Sequence, residues 1–181
     1  MQTRTKTHRI IKNLVFAAVC LALCIVLPFL TGQIPQIGSM LCPMHIPVLL
    51  AGFLCGPWWA LAVGALAPIL RYLLFSMPPL IPTGLAMTFE LLTYGLVSGL
   101  LYRALPKKAK YIYVSLIAAM LAGRVIWGIV CVIIFGVIGN PFSWPIFFAG
   151  AFGNAIPGII VHIVLIPALV IALKKAKVIL D

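Results

Sequence analysis

Six apolar runs, at about 10–31, 45–57, 59–76, 82–103, 111–138 and 145–173, take up almost the whole chain. Most reach the roughly 17–25 residues that a helix needs to cross a bilayer core of ~30 Å. Ordinary soluble domains carry about 25% charged residues, whereas this chain has 8% charged and 64% hydrophobic residues. With lipid as solvent, each run must satisfy its backbone hydrogen bonds internally, so each is read as a helix. The expected fold class is therefore all-α: an integral membrane bundle of six transmembrane helices. No stretch is left over for a separate soluble domain, so residues 1–181 are read as one unit.

The number of crossings turns on residues 45–70, which hold no charge and can form one long span or two short ones. Gly56-Pro57 supplies a break, since proline lacks the N–H that would continue a helix and disfavours helix in the residue before it. Basic residues decide between the two. Arg4, Lys6, Arg9 and Lys12 precede the first run, Arg103, Lys107, Lys108 and Lys110 follow the fourth, and Lys174, Lys175 and Lys177 follow the last. Six spans put all three groups on one side, as the positive-inside rule favours, and make both termini cytoplasmic. Flanking positions also account for the net charge of +11 without a nucleic-acid partner. The first run is read as a helix and not as a cleaved signal, because its apolar part, 14–30, exceeds the ~7–15 residues of a signal core.

Chemistry is sparse. The five cysteines, Cys20, Cys24, Cys42, Cys55 and Cys131, form no C-x-x-C pair and have no histidines at ligand spacing, so neither a disulfide nor a metal is expected. Cys20 and Cys24 read as small helix residues. No Gly-Lys pair occurs, hence no phosphate-binding loop for ATP. The only carboxylates are Glu90 and Asp181, so no catalytic set can be assembled. A cofactor is not called for either, and the chain is not expected to be an enzyme.

Three charged residues interrupt the runs. Each costs about 2.5–3.5 kcal/mol on insertion scales, so each should face the bundle interior and earns functional suspicion. Arg71, in the third run, and Glu90, in the fourth, count to similar depth from the outer side. They can neutralise each other across the short 76–81 connection or belong to a site. If they pair, Arg124 is the cation left over, wanting a phosphate, a carboxylate or backbone carbonyls. Tyr94 shares a helical face with Glu90, and Trp127 shares one with Arg124. Such aromatic and charged pairs suit a planar polar ligand, although aromatic packing in a core gives the same pattern. Asn154 in the last run can contact a ligand or hydrogen-bond between helices. His45, at the outer start of the second run, can cap a site or sit solvated at the interface. His162 lies deeper and reads as structural.

The outer connections 32–44, 76–81 and 139–144 are rich in Pro or Gly. Gln33, Pro35, Gln36, Gly38, Ser39 and Pro43 make the first of them polar, uncharged and long enough to fold over something. Small residues recur at four-residue spacing, as in Ala18 and Ala22, Gly52 and Gly56, Ala60 and Gly64, Gly95 and Gly99, Ala118 and Ala122. They allow close helix approach, mostly as internal packing.

Over nearly its whole length the chain resembles the substrate-binding S components of energy-coupling factor (ECF) transporters. The resemblance is carried by Ala18-Val-Cys-Leu-Ala22, by Met44-His45-Ile46-Pro47-Val48-Leu49-Leu50-Ala51-Gly52, by Gly56-Pro57 between two short helices, and by 153–167. It implies vitamin capture in the outer half of the bundle under the first loop. It also implies docking of the Ala18/Ala22 face on a membrane-embedded coupling protein, two ATPase partners, and a place in a bacterial plasma membrane. The similarity is greatest to the broad group with folate, pantothenate and hydroxymethylpyrimidine carriers, so the substrate class is a vitamin or a vitamin precursor. Two other readings stay open. A structural membrane scaffold would tolerate neutralising Arg71, Glu90 and Arg124, and a stand-alone secondary transporter would carry inverted repeats and an ion relay, of which no repeat is visible.

Overall fold

The computed structural model describes residues 2–31, 34–139, 143, 145, 148–149, 153, 155–176 and 178, without the side chains of 2–6, 35 and 39. All regular structure among them is helical. Helix α1 (Gln2–Val26) runs on into a 3-10 turn, Leu27–Thr31. A short helix α2 (Pro35–Leu41) follows, then α3 (His45–Leu54), α4 (Pro57–Phe75), α5 (Leu85–Ala104) with a wide turn Leu80–Gly84 before it, α6 (Ala109–Ile138) and α7 (Ile156–Lys175). Among the described residues, five segments are long and apolar enough to cross a membrane: Thr7–Thr31, Pro57–Phe75, Leu80–Ala104, Ala109–Ile138 and Ile156–Lys175. Helix α3 has only 10 residues, a rise of about 15 Å.

The expected break in 45–70 is present. Gly56 has φ +88°, a backbone region that residues with a Cβ avoid, and Pro57 opens α4 at a position where its missing N–H costs nothing. Helix α2 lies within the first outer connection, where only a loop was expected. Pro35 starts it, and Cys42 ends it in the left-handed conformation, φ 47°, with its N–H donating to the Gly38 carbonyl. The last run was expected from residue 145. Its described helix begins at Ile156, and much of 145–155 lies outside the described residues.

Small residues set the register of the central helices. A Cβ on Gly64 would collide with the Leu91 carbonyl, and one on Gly95 with the carbonyl of Ala60, so α4 and α5 touch backbone to backbone. Gly52 of α3 meets Ser98 and Gly99, and Gly99 meets Pro57. Around this contact the core closes with Val48, Leu49, Leu91, Leu116 and Ile166, all almost wholly buried. Cys20 and Cys24 are packed into the same core as free thiols, and the Cys24 Sγ lies 3.6 Å from the Met44 carbonyl oxygen. Leu14, Val15, Val19 and Leu23 on α1, like Leu121, Val125 and Val132 on α6, are exposed, the pattern of helices whose outer faces meet lipid.

The basic residues gather at one end. Lys12 donates to the Val178 carbonyl at 2.7 Å and Lys174 to the Lys107 carbonyl at 3.1 Å, which ties both ends of the chain to the α5–α6 connection. The Gly56 turn packs against the Arg103 side chain at this same end. Helix α2 and the 76–84 connection lie at the opposite end.

Candidate functional site

Between α2, the 3-10 turn, the connection into α5, and helices α3 to α6 lies a cavity of about 530 Å³. Glu90 forms part of its floor. It is 1% exposed, and three contacts converge on one carboxylate oxygen, Oε1. Arg124 Nη1 lies at 3.0 Å, the Tyr94 hydroxyl donates at 2.9 Å, and His45 Nε2 lies at 3.6 Å. Arg124 also points Nη2 at the Cys42 Sγ, 3.9 Å away. His45 stacks at 5.9 Å on His162 of α7 and meets Tyr94 edge to face at 5.3 Å.

The depth count that left Arg124 over is thereby corrected: Glu90 pairs with Arg124 and not with Arg71. Helix register gives the reason. Continuing the α4–α5 register in which Gly64 meets Leu91, Arg71 falls opposite Gly84, six residues outward of Glu90 or about 9 Å. The wide turn Leu80–Gly84 consumes the residues that a shorter connection would have left to α5. On the other side, Gly123 of α6 lies against the Tyr94 ring and the Glu90 carbonyl, which brings Arg124 to the level of Glu90.

Arg71 instead turns toward α1. Its Nη1 donates to the Ile25 carbonyl at 2.8 Å, and its guanidinium lies 5.4 Å from the ring centres of both Phe29 and Phe75, which pack edge to face on each other. It is 4% exposed and lines the cavity.

Of the residues singled out in the sequence, His45, Arg71, Glu90, Arg124 and Trp127 line this cavity. Tyr94 lies one turn inward of Glu90, beneath the floor, where it holds the carboxylate. Asn154 falls outside the described residues. His162 supports His45 from behind. Sequence reasoning missed Thr83, Met87 and Cys42 as lining residues. Thr83 and Met87 share a helical stripe with Glu90, at spacings of seven and three, and that periodicity was a usable signal. Cys42 carried none, because its place depends on how α2 folds back. The end of α2 is seated on α7, since Gly158 packs against the carbonyls of Met40 and Leu41. Among the described residues, no three His, Cys, Asp or Glu side chains come together as a metal site.

The described helices thus make a multi-pass membrane protein with a buried ion pair on the floor of a cavity inside the bundle. The sequence model of the family "ECF transporter, substrate-specific component" matches residues 12–173, and the chain belongs to that family. Its members are transport subunits, not enzymes. Membership brings a substrate and an energy-coupling module in the membrane as partners. No curated protein and no solved structure matches the chain.

Proposed function

We propose that the chain is the substrate-capture subunit of an ATP-driven ECF-type uptake transporter for a vitamin or vitamin precursor, and that it binds this ligand in the outer half of the bundle. The observation that carries the reading is the cavity over Glu90 and Arg124. A buried ion pair is costly to maintain in a membrane bundle, and here it is kept where it meets open space. Among the described residues, Arg124, Tyr94 and His45 all meet Glu90 at Oε1, which leaves Oε2 to accept a hydrogen bond from a ligand. His45 and Arg124 lie beside the carboxylate, Trp127 offers a ring wall one turn outward, and Met44 and Met87 add pliable apolar surface. Helix α2 covers the cavity as a lid.

Orientation follows from charge. The basic ends gather opposite the cavity, so the positive-inside rule places them in the cytoplasm and turns the cavity outward. In this arrangement residues 1–181 form one unit that crosses six times. Helix α3 completes the second crossing together with the α2 segment, and both termini are cytoplasmic. Ala18 and Ala22 lie exposed on α1 and offer a close seat for the membrane-embedded coupling protein, which two ATPases would drive. A bacterial plasma membrane is the setting.

Purifying the tagged chain from membranes of its host and identifying co-purifying proteins by mass spectrometry tests the assembly. A polytopic coupling protein with ATPases is the expected result. Absence of any ATPase, with uptake that an ionophore abolishes, would replace the reading with a stand-alone secondary transporter.

A further inference from the structure

The charges around the cavity do not balance. Two buried cations, Arg71 and Arg124, line it, and among the described residues Glu90 is the one carboxylate available to them. Glu90 is taken by Arg124 at 3.0 Å. Among the described residues, Arg71 has for partners a single carbonyl and the faces of Phe29 and Phe75. A ring quadrupole attracts a cation but does not neutralise it. A guanidinium presents five N–H donors in a planar fork, of which the Ile25 carbonyl engages one nitrogen. The rest of the Arg71 guanidinium borders the cavity, in a residue that is 4% exposed. In a membrane bundle such a charge pairs with an opposite charge or with backbone carbonyls, and a single carbonyl fills only part of the fork.

We infer that Arg71 is the anion subsite of the cavity and that the substrate carries a single carboxylate that it holds. The inference rests on the substrate-capture reading. One carboxylate supplies the partner that Arg71 lacks among the described residues, whereas a phosphate monoester, at about −1.5 to −2, would bring a second negative charge beside Glu90. The carboxylate matches the guanidinium fork in shape. Arg71 lies about 9 Å outward of the Glu90 level along the helix axes. The ligand therefore places its acid toward the outer end and a hydrogen-bond donor toward Glu90 Oε2, with an apolar or planar body between them against Trp127 and Met87. The ion pair on the floor reads donors, and the lone arginine near the top reads charge.

Isothermal titration of the detergent-purified chain, stripped of retained ligand, tests this with matched probes: pantothenate against pantothenol, nicotinate against nicotinamide, biotin against biotinamide, and, as a phosphate ester, pyridoxal phosphate. At least one acid should bind, with its neutral partner roughly 30-fold or more weaker, as for loss of a buried charge partner. Arg71→Gln should remove that preference, and Arg71→Lys should restore part of it. If a probe binds equally as acid and neutral compound, or if the phosphate ester is preferred, the carboxylate subsite is wrong while the capture reading stands. This comparison needs only the wild-type chain and so holds even if Arg71→Gln does not fold. If no probe binds and the freshly purified chain retains no small molecule, the capture reading falls and the subsite falls with it.

Discussion

Glu90 and Arg124 illustrate why a buried ion pair is tested best by removing both partners as well as one. Taking away one charge leaves the other uncompensated in low dielectric, at a cost of about 3–5 kcal/mol, while replacing both with apolar residues of similar size is close to neutral. We expect Arg124→Gln and Glu90→Gln each to lower the thermal unfolding midpoint in detergent far more than the double variant Glu90→Met/Arg124→Met. Ligand binding should be lost in all three. A double variant less stable than either single one would show that the two side chains are not coupled. A second residue-level test uses Gly123, whose missing Cβ makes room for the Tyr94 ring. Gly123→Ala should displace that ring, break its 2.9 Å bond to Glu90, and weaken ligand binding without touching the cavity wall. Binding unchanged in Gly123→Ala would remove Tyr94 as a support. The sequence made these residues candidates because charge inside an apolar run is expensive wherever it occurs. It did not give their pairing, because counting residues from run ends cannot see a turn as wide as Leu80–Gly84.

Helices in lipid gain little from burying apolar surface against each other, so close backbone approach decides which of them pack. The α4–α5 contact depends on Gly64 and Gly95, and a larger side chain there has backbone to displace, not a rotamer. Gly95→Leu should destabilise the bundle by about 1–3 kcal/mol or more, measured by thermal unfolding in detergent. A wild-type midpoint would mean that these helices are not in close contact. Ala18 and Ala22 have the same spacing but an exposed position, so Ala22→Leu should leave folding and ligand binding intact while weakening assembly with the coupling protein on the order of ten-fold, or about 1.4 kcal/mol. Normal assembly would show that another face docks. Spacing alone could not tell these two uses apart, since a small residue signals close approach without saying to what. Helix α2 was equally hidden: seven residues with Pro35 at the start and no glycine at the end do not announce a helix, and its placement comes from packing on Gly158.

At the level of the whole molecule, hydropathy and the basic groups made the class of fold legible, while the count of crossings hung on one Gly-Pro step. Lys12 and Lys174 now tie the basic ends together, so reporters fused after residue 181 and within 106–110 should both report cytoplasm; an external signal at either place would refute the six-crossing arrangement. The basic residues gather at one end and the cavity lies at the other, and the proposed function assigns capture to the cavity end. In the proposed function the cavity over Glu90 holds one small substrate. Native mass spectrometry of the chain purified from its host tests this directly, using Met87→Trp to fill the cavity above the floor. The wild type should carry one small molecule per chain, and a folded Met87→Trp variant should carry none. A folded wild type without any bound molecule, or a filled-cavity variant that keeps the same one, would contradict the account.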